Sequence, residues 1–296
     1  MKVLVAGGAG FIGKNLCAEL VDRGHEVTAL SRHPDGDGLP DGVETAVGDV
    51  TAYDSIVEPV SAADAVVNLV ALSPLFDQPA GSHERVHLGG TENLVRAAEE
   101  AGIDRFVQMS GLDASPAAKT AYLRAKGEAE AVVRESDLAW TIVRPSVVFG
   151  DGAEFLAFVR LLTTPYLTGL PGGGSMQFQP IWVGDLVGML ADALEDDAHV
   201  GCTYELGGPA VLSLADVTKL VYAADGRSVR ILPIPTPLAK LGLGLGDPIP
   251  FVPFGAEQAR SLEVDNTVEA NDVTAFGVDE SGLTTFGAYL GLESVD

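Results

Sequence analysis

The chain has 296 residues, 47% of them hydrophobic, and a formal net charge of -24, which suits one large α/β core or a core with a smaller second domain. Asp and Glu number 42 against 18 for Lys and Arg, so the field around the protein repels nucleic acid and anionic membrane surfaces, and those partners are excluded. The acids are spread along the chain, as in 35–41 and 195–197, which reads as the solvation strategy of a halophilic protein in a salt-rich cytoplasm rather than as a binding tail.

The first strand is expected at once after the N-terminus, leaving no room for a signal peptide, and no apolar run approaches a membrane span. A cytoplasmic protein with no transmembrane segment is the expectation. The apolar run from Lys2 to Ala6 leads into Gly7-Gly-Ala-Gly10-Phe11-Ile12-Gly13 and then into an amphipathic stretch ending near Gly24. Strand, glycine turn and helix in that order make a cradle for a dinucleotide pyrophosphate. Gly7 permits the tight turn, Gly10 the close approach of backbone to phosphate, and Gly13 the packing of helix on sheet. The helix then aims its unpaired N–H groups and positive dipole end at the phosphates.

The second strand, 26–30, ends at Ser31-Arg32. An acid that would grip the ribose 2′-hydroxyl of NAD(H) is missing there, and Arg32 offers a cationic fork suited to a 2′-phosphate, so NADP(H) is expected over NAD(H). A solvated, idle surface arginine is the alternative. Further along, strands at 43–47, 65–71, 105–110 and 139–143 alternate with helices opened by Thr51, near 84–102, and at 118–135. That alternation predicts a doubly wound parallel sheet of the Rossmann kind. Thr51 with Asp54 three residues on resembles a helix cap. The dinucleotide-binding domain is placed at 1–150, with a returning helix and strand near 180–208, and a smaller substrate or lid domain at 151–296, closing a substrate cleft. In the latter, 169–174 reads as a flexible glycine breaker, followed by helices at 183–195 and 214–224 and a strand at 203–206. Cys17 and Cys202 form no metal-type or redox-type pair, are expected to be plain buried thiols, and no metal site is expected.

Tyr122 and Lys126 stand four apart in a helical pattern, on one face and one turn apart. A tyrosine near its ordinary pKa of about 10 is a poor acid or base at neutral pH. A neighbouring ammonium stabilises the phenolate and brings it toward the working range, and the lysine can also bond the nicotinamide ribose.

With these features the chain resembles the short-chain dehydrogenase/reductase superfamily, in its extended and atypical branches that include nucleotide-sugar epimerases and dehydratases. Gly7, Gly10 and Gly13 match the family's glycine motif, and Tyr122 and Lys126 its active-site pair. The resemblance implies that Gly48-Asp49-Val50 is the turn touching adenine. It also implies that Asn68-Leu-Val70-Ala71, with Leu72 after it, lies beside the cofactor, and that the backbone from Pro145 to Val148 approaches the nicotinamide carboxamide. The segments 88–94, 143–150, 180–186 and 204–209 are similar to family signatures in the expected order. Gly111 occupies the place of the usual catalytic serine, with Ser110 one position early, and His87 stands where an asparagine is usual, reading here as a helix-face residue. Together with Arg32, these departures resemble most the group related to the nucleotide-binding accessory subunit of respiratory complex I.

The resemblance implies an NADP(H)-dependent oxidoreductase acting on a small-molecule carbonyl or alcohol, with Tyr122 handling the proton, Lys126 tuning it and Ser110 or a backbone N–H orienting the substrate oxygen. The alternative is a non-catalytic NADP(H)-binding accessory or assembly protein. Nucleotide-sugar epimerisation is disfavoured by Arg32 and Gly111. Between Leu238 and Phe254 an apolar run broken by Gly and Pro is open to three readings: a lid, a contact with a protein or membrane complex, or ordinary packing.

Overall fold

The computed structural model describes residues 1–34, 38–74, 78–235 and 265–292; the apolar run between Leu238 and Phe254 lies outside them. The chain divides into two compact units. The first comprises Met1–Leu72, Gln78–Pro145 and Val183–Glu205, and the second the remaining described residues.

In the first unit the strands are β1 (Lys2–Ala6), β2 (Glu26–Ser31), β3 (Glu44–Val47), β4 (Ala65–Asn68), β5 (Arg105–Met109) and β6 (Ala139–Pro145), joined by the returning strand Cys202–Leu206. They form one sheet in the order Cys202–Leu206, β6, β5, β4, β1, β2, β3. Every pairing from β3 to β6 is parallel. The chain runs outward from β1 to β2 and β3, then returns to the other side of β1 with β4, so the topological switch lies between β1 and β4. Ligands of such sheets bind outside the carboxyl ends of the strands at that switch.

The helices α1 (Phe11–Asp22), α2 (Val57–Ser61), α3 (Gly90–Ala101) and α4 (Ala121–Glu135) connect these strands, and Val183–Glu195 leads to the last. Period-two alternation sends Leu4, Ala6, Leu30, Val66, Phe106 and Ile142 into one core with Val60 of α2, Leu94 and Ala98 of α3 and Val133 of α4. The opposite set, including Val3, Val5, Ala29, Val67 and Val107, is equally buried. Burial on both faces is why these strands read as continuous apolar runs. On the face of α1, Arg23 Nη1 donates to Asp192 Oδ1 and Glu195 Oε2 of the Val183–Glu195 helix at 2.7 and 2.8 Å.

The second unit holds three strand pairs. Val148–Phe149 lies parallel to Ile181–Trp182 and Tyr166–Pro171 parallel to Val229–Ile234, while Gln177–Phe178 and Leu212–Ser213 are antiparallel. The helices Glu154–Leu162 and Leu214–Ala224 pack with them around Phe149, Phe155, Phe178, Val217 and Phe286. Two local expectations are corrected here. The expected breaker at 169–174 is half strand, since residues 169–171 pair with Leu232, Pro233 and Ile234 and only Gly172, Gly173 and Gly174 turn, all at positive φ. Thr51 caps no helix with Asp54. Its N–H and hydroxyl donate instead to Asp49 Oδ1 at 2.9 and 2.8 Å, and the chain passes through a 3₁₀ turn, Tyr53–Ser55, before α2.

Candidate functional site

The glycine segment leaves the carboxyl end of β1. Gly7 takes φ +84, a left-handed conformation that a side chain resists, and its N–H donates to Leu30 O at the end of β2 at 2.9 Å. A methyl group on Gly13 would lie 2.2 Å from Gly7 O and 2.7 Å from Gly8 Cα, so only glycine lets α1 seat against the turn. Gly10 caps α1 without any side-chain hydrogen bond, and no acid sits in the first turn. The first-turn N–H groups at Phe11, Ile12 and Gly13 thus face outward from a helix end that favours anions. These are residues that fit a dinucleotide pyrophosphate.

Neighbouring strand ends add the rest of this edge. Ser31 closes β2 with its Oγ buried and without a hydrogen-bond partner, and Arg32 is exposed just beyond it. After β3, burial pushes the Asp49 carboxyl up, but the Thr51 N–H and hydroxyl more than offset this and, with Arg32 and Arg85, hold it below the usual range. Val50 is buried, and Asn93 Nδ2 of α3 donates to its carbonyl at 2.7 Å. At the end of β4, Asn68 Nδ2 donates to Gln108 Oε1 and Thr91 Oγ1, while Val70 N donates back to Asn68 Oδ1 at 3.1 Å. Leu72 N donates to His87 Nε2 at 3.4 Å, and Ala71 between them is exposed. The loop after β4 is therefore pinned at both ends beside the glycine turn, where Leu69 C comes within 3.1 Å of the position a Gly7 Cβ would take.

A second group of residues gathers beyond β5. Thr120 Oγ1 accepts from Leu123 N and starts α4, which puts Tyr122 in the first turn and Lys126 one turn on. Ser110 follows β5, 2% exposed, with its Oγ lacking a hydrogen-bond partner. A Cβ on Gly111 would lie 3.5 Å from Tyr122 Oη, so the phenol stands beside the residue that replaces the usual serine. Lys126 is buried, and its Nζ donates to Met109 O at 3.0 Å. Burial pushes Lys126 down to about 8 against a modest opposing pull from Glu130, and burial pushes Tyr122 up to about 12. The expected lowering of the phenol by its lysine neighbour is thus not what the geometry produces. The ammonium is spent on a backbone carbonyl, and loss of water dominates at the phenol.

His83 and His87, four residues apart, stack at 5.4 Å between ring centroids, and both meet the Tyr122 ring edge-on at 5.7 and 5.3 Å. Burial first, then the charges of Lys126 and His83, drive His87 well below the ordinary histidine pKa, so this ring is neutral. His87 is therefore more than a helix-face residue, and its i, i+4 spacing with His83 was the signal that could have found the pair. His87 lies inside, and His83 just before, the stretch Glu84–Gly89 in which the helical run before α3 widens into a five-residue repeat, a distortion frequent at functional sites. Pro145 ends β6 in the first unit, and Val148 belongs to the second. Cys17 is buried with its thiol pushed up to about 12 by burial, and Cys202 is half-buried. Among the described residues no cluster of His, Cys, Asp or Glu is placed to hold a metal, and no helix is long and apolar enough to cross a membrane.

Residues 7–156 match a family described as NAD(P)H-binding. The chain is 30% identical over 286 residues to the mitochondrial NADH dehydrogenase [ubiquinone] 1 alpha subcomplex subunit 9 of Arabidopsis thaliana, covering 90% of this chain and 71% of that one. It is 33% identical over 233 residues to a 3-diazoavenalumate denitrifying reductase of Streptomyces, covering 69% of this chain and 75% of that one. Among solved structures, a human epimerase family protein crystallised with NADPH superposes with a TM-score of 0.72 at 27% identity, over 98% of each chain. Taken with the glycine turn at the switch of a parallel sheet, these likenesses mean that the chain belongs to the NAD(P)H-binding, epimerase/dehydratase-like family of short-chain dehydrogenases/reductases.

Proposed function

We propose that this protein is an NADP(H)-dependent oxidoreductase of the extended or atypical short-chain type, acting on a carbonyl or alcohol in the salt-rich cytoplasm its acidic surface suits. The observation that carries the reading is the hydroxyl of Tyr122 beside Gly111, beyond the end of β5, with Lys126 one turn on. NADPH, when bound, supplies a hydride for a carbonyl carbon. Tyr122, held protonated by its burial, is the group that passes a proton to the carbonyl oxygen. Lys126 lies one turn away with its Nζ bonded to Met109 O, which fixes the end of β5 beside the phenol, and Ser110 and the neutral His87 supply polar groups near it.

Arg32, with no acid at the end of β2, supports NADP(H) over NAD(H). Losing a charge-assisted contact to a 2′-phosphate removes about 1.5–3 kcal/mol. Arg32→Ala should therefore weaken NADPH binding roughly ten-fold or more and leave NADH nearly unchanged in a fluorescence titration. Equal weakening of both would contradict the assignment.

A second reading has its own support. Gly111 stands in place of the usual serine, and one relative is by name a subunit of a mitochondrial NADH dehydrogenase. On this reading the chain is an NADP(H)-binding accessory or assembly protein whose cofactor is structural or sensory. Turnover distinguishes the two.

A further inference from the structure

Six arginines of this strongly acidic chain are engaged by acids. Arg23, Arg96, Arg105, Arg134, Arg144 and Arg160 all lie within 4.0 Å of carboxylates. Among the described residues Arg32 and Arg85, like Arg124, Arg227 and Arg230, have no carboxylate within that distance, although acids outnumber bases 42 to 18. Both are exposed, and both stand at the carboxyl edge of the sheet. Arg32 follows the end of β2. Arg85 opens the helical run that follows β4, its N–H donating to Gly81 O at 3.0 Å. The run returns toward the start of β5, so its beginning lies at the edge where the strands end.

The widened repeat over Glu84–Gly89 decides which way Arg85 faces. With more residues per turn than an α-helix, the eight steps from Arg85 to Asn93 come to about two full turns, so both side chains leave the same side of the run. Asn93 is tied to Val50 O at 2.7 Å, and a Cβ on Gly90 would sit 2.6 Å from Val50 Cγ2, so that side is the one over Asp49-Val50. The Asp49 carboxyl feels both arginines but gives its Oδ1 to Thr51. Two arginines therefore flank one short turn from opposite sides, and the partnerless hydroxyl of Ser31 lies on the Arg32 side.

We propose that Arg85 is the second arm of a 2′-phosphate site, closing with Arg32 on the phosphomonoester of NADP(H) from across the Asp49-Val50 turn. This rests on the reading that the chain takes NADP(H). The chemistry recommends it: a guanidinium donates five N–H bonds and accepts none, and two of them match a dianion that the field of a protein at net charge -24 otherwise repels.

The test uses the full chain and two probes, 2′,5′-ADP and 5′-AMP, titrated into the native protein, Arg85→Ala and Arg85→Lys at low and moderate salt. Arg85→Ala should weaken 2′,5′-ADP about ten-fold and leave 5′-AMP within two-fold, with a shallower salt dependence. Arg85→Lys should recover part of the loss. Arg85 is exposed, so an unchanged melting temperature serves as the folding control. Equal loss of both probes would mean that Arg85 serves the adenine, and no loss would mean that it serves nothing there; either overturns the inference while leaving the NADP(H) reading standing. A native protein that binds the two probes alike would remove that reading and this inference with it.

Discussion

Lys126 shows how burial, more than sequence spacing, sets the chemistry of a residue in this protein. Its ammonium is 2% exposed and bonded to Met109 O, and burial brings it down to about 8, whereas the unfolded chain keeps it near 10.5. Between those values the unfolded chain holds a proton that the folded chain has released, so stability rises with pH across that window, by up to about 3 kcal/mol. Chemical denaturation from about pH 7.5 to 10 should show a rise in the native protein that Lys126→Met lacks; identical pH slopes would contradict the buried-lysine account. Tyr122 acts only at the top of that window and in the opposite sense, because the unfolded phenol ionises from about pH 10 while the folded one, raised to about 12, still holds its proton. The four-residue spacing made the Tyr122 and Lys126 pair legible in the sequence. It did not reveal that Met109 O takes the lysine, nor that His83 and His87 close around the phenol, because those contacts join segments 17 to 39 residues apart.

At the scale of elements, α4 is held to β6 by an ion-pair cluster. Arg144 donates bidentately to Glu130 at 2.8 and 2.7 Å, Arg134 adds a third bond to the same carboxylate, and Arg144 also reaches Glu205 at 3.0 Å. Glu130 is 1% exposed, so Glu130→Ala removes the carboxylate that two guanidinium groups share. Breaking a buried pair from one side costs about 3–5 kcal/mol. The low end is expected because Arg144 keeps Glu205, and denaturant unfolding should show a loss of about 3 kcal/mol; a loss under 1 kcal/mol would mean that packing alone holds α4. The sequence marks some elements almost to the residue. Leu214–Ala224 is one, opened by Ser213 with Asp216 in a reciprocal cap and carried by an apolar period of a helix. It hides Tyr166–Pro171, where Gly169 and Pro171 interrupt the strand pattern, Tyr166 takes φ +73, and the partner strand comes some sixty residues later. Thr51 and Asp54 looked like a cap because local spacing carries no record of Asp49, the nearer acceptor.

For the whole molecule, the order of apolar strands and amphipathic helices made the parallel sheet and its glycine turn legible, since each unit of that pattern buries both faces of its strand. The acidic composition pointed to solvation and left the chemistry open, so the proposed function rests on a few residues at one edge of the first unit. The account stands or falls on whether Tyr122 moves a proton or merely packs. The direct measurement is NADPH oxidation followed by absorbance, with a panel of carbonyls and quinones, for the native protein and Tyr122→Phe, each with its NADPH affinity titrated in parallel. The account predicts turnover by the native protein, a loss on the order of a hundred-fold in Tyr122→Phe, and NADPH affinity within a few-fold of native. Turnover untouched by Tyr122→Phe, or NADPH held by a native protein that reduces nothing in the panel, would contradict it and leave the cofactor-binding reading in its place.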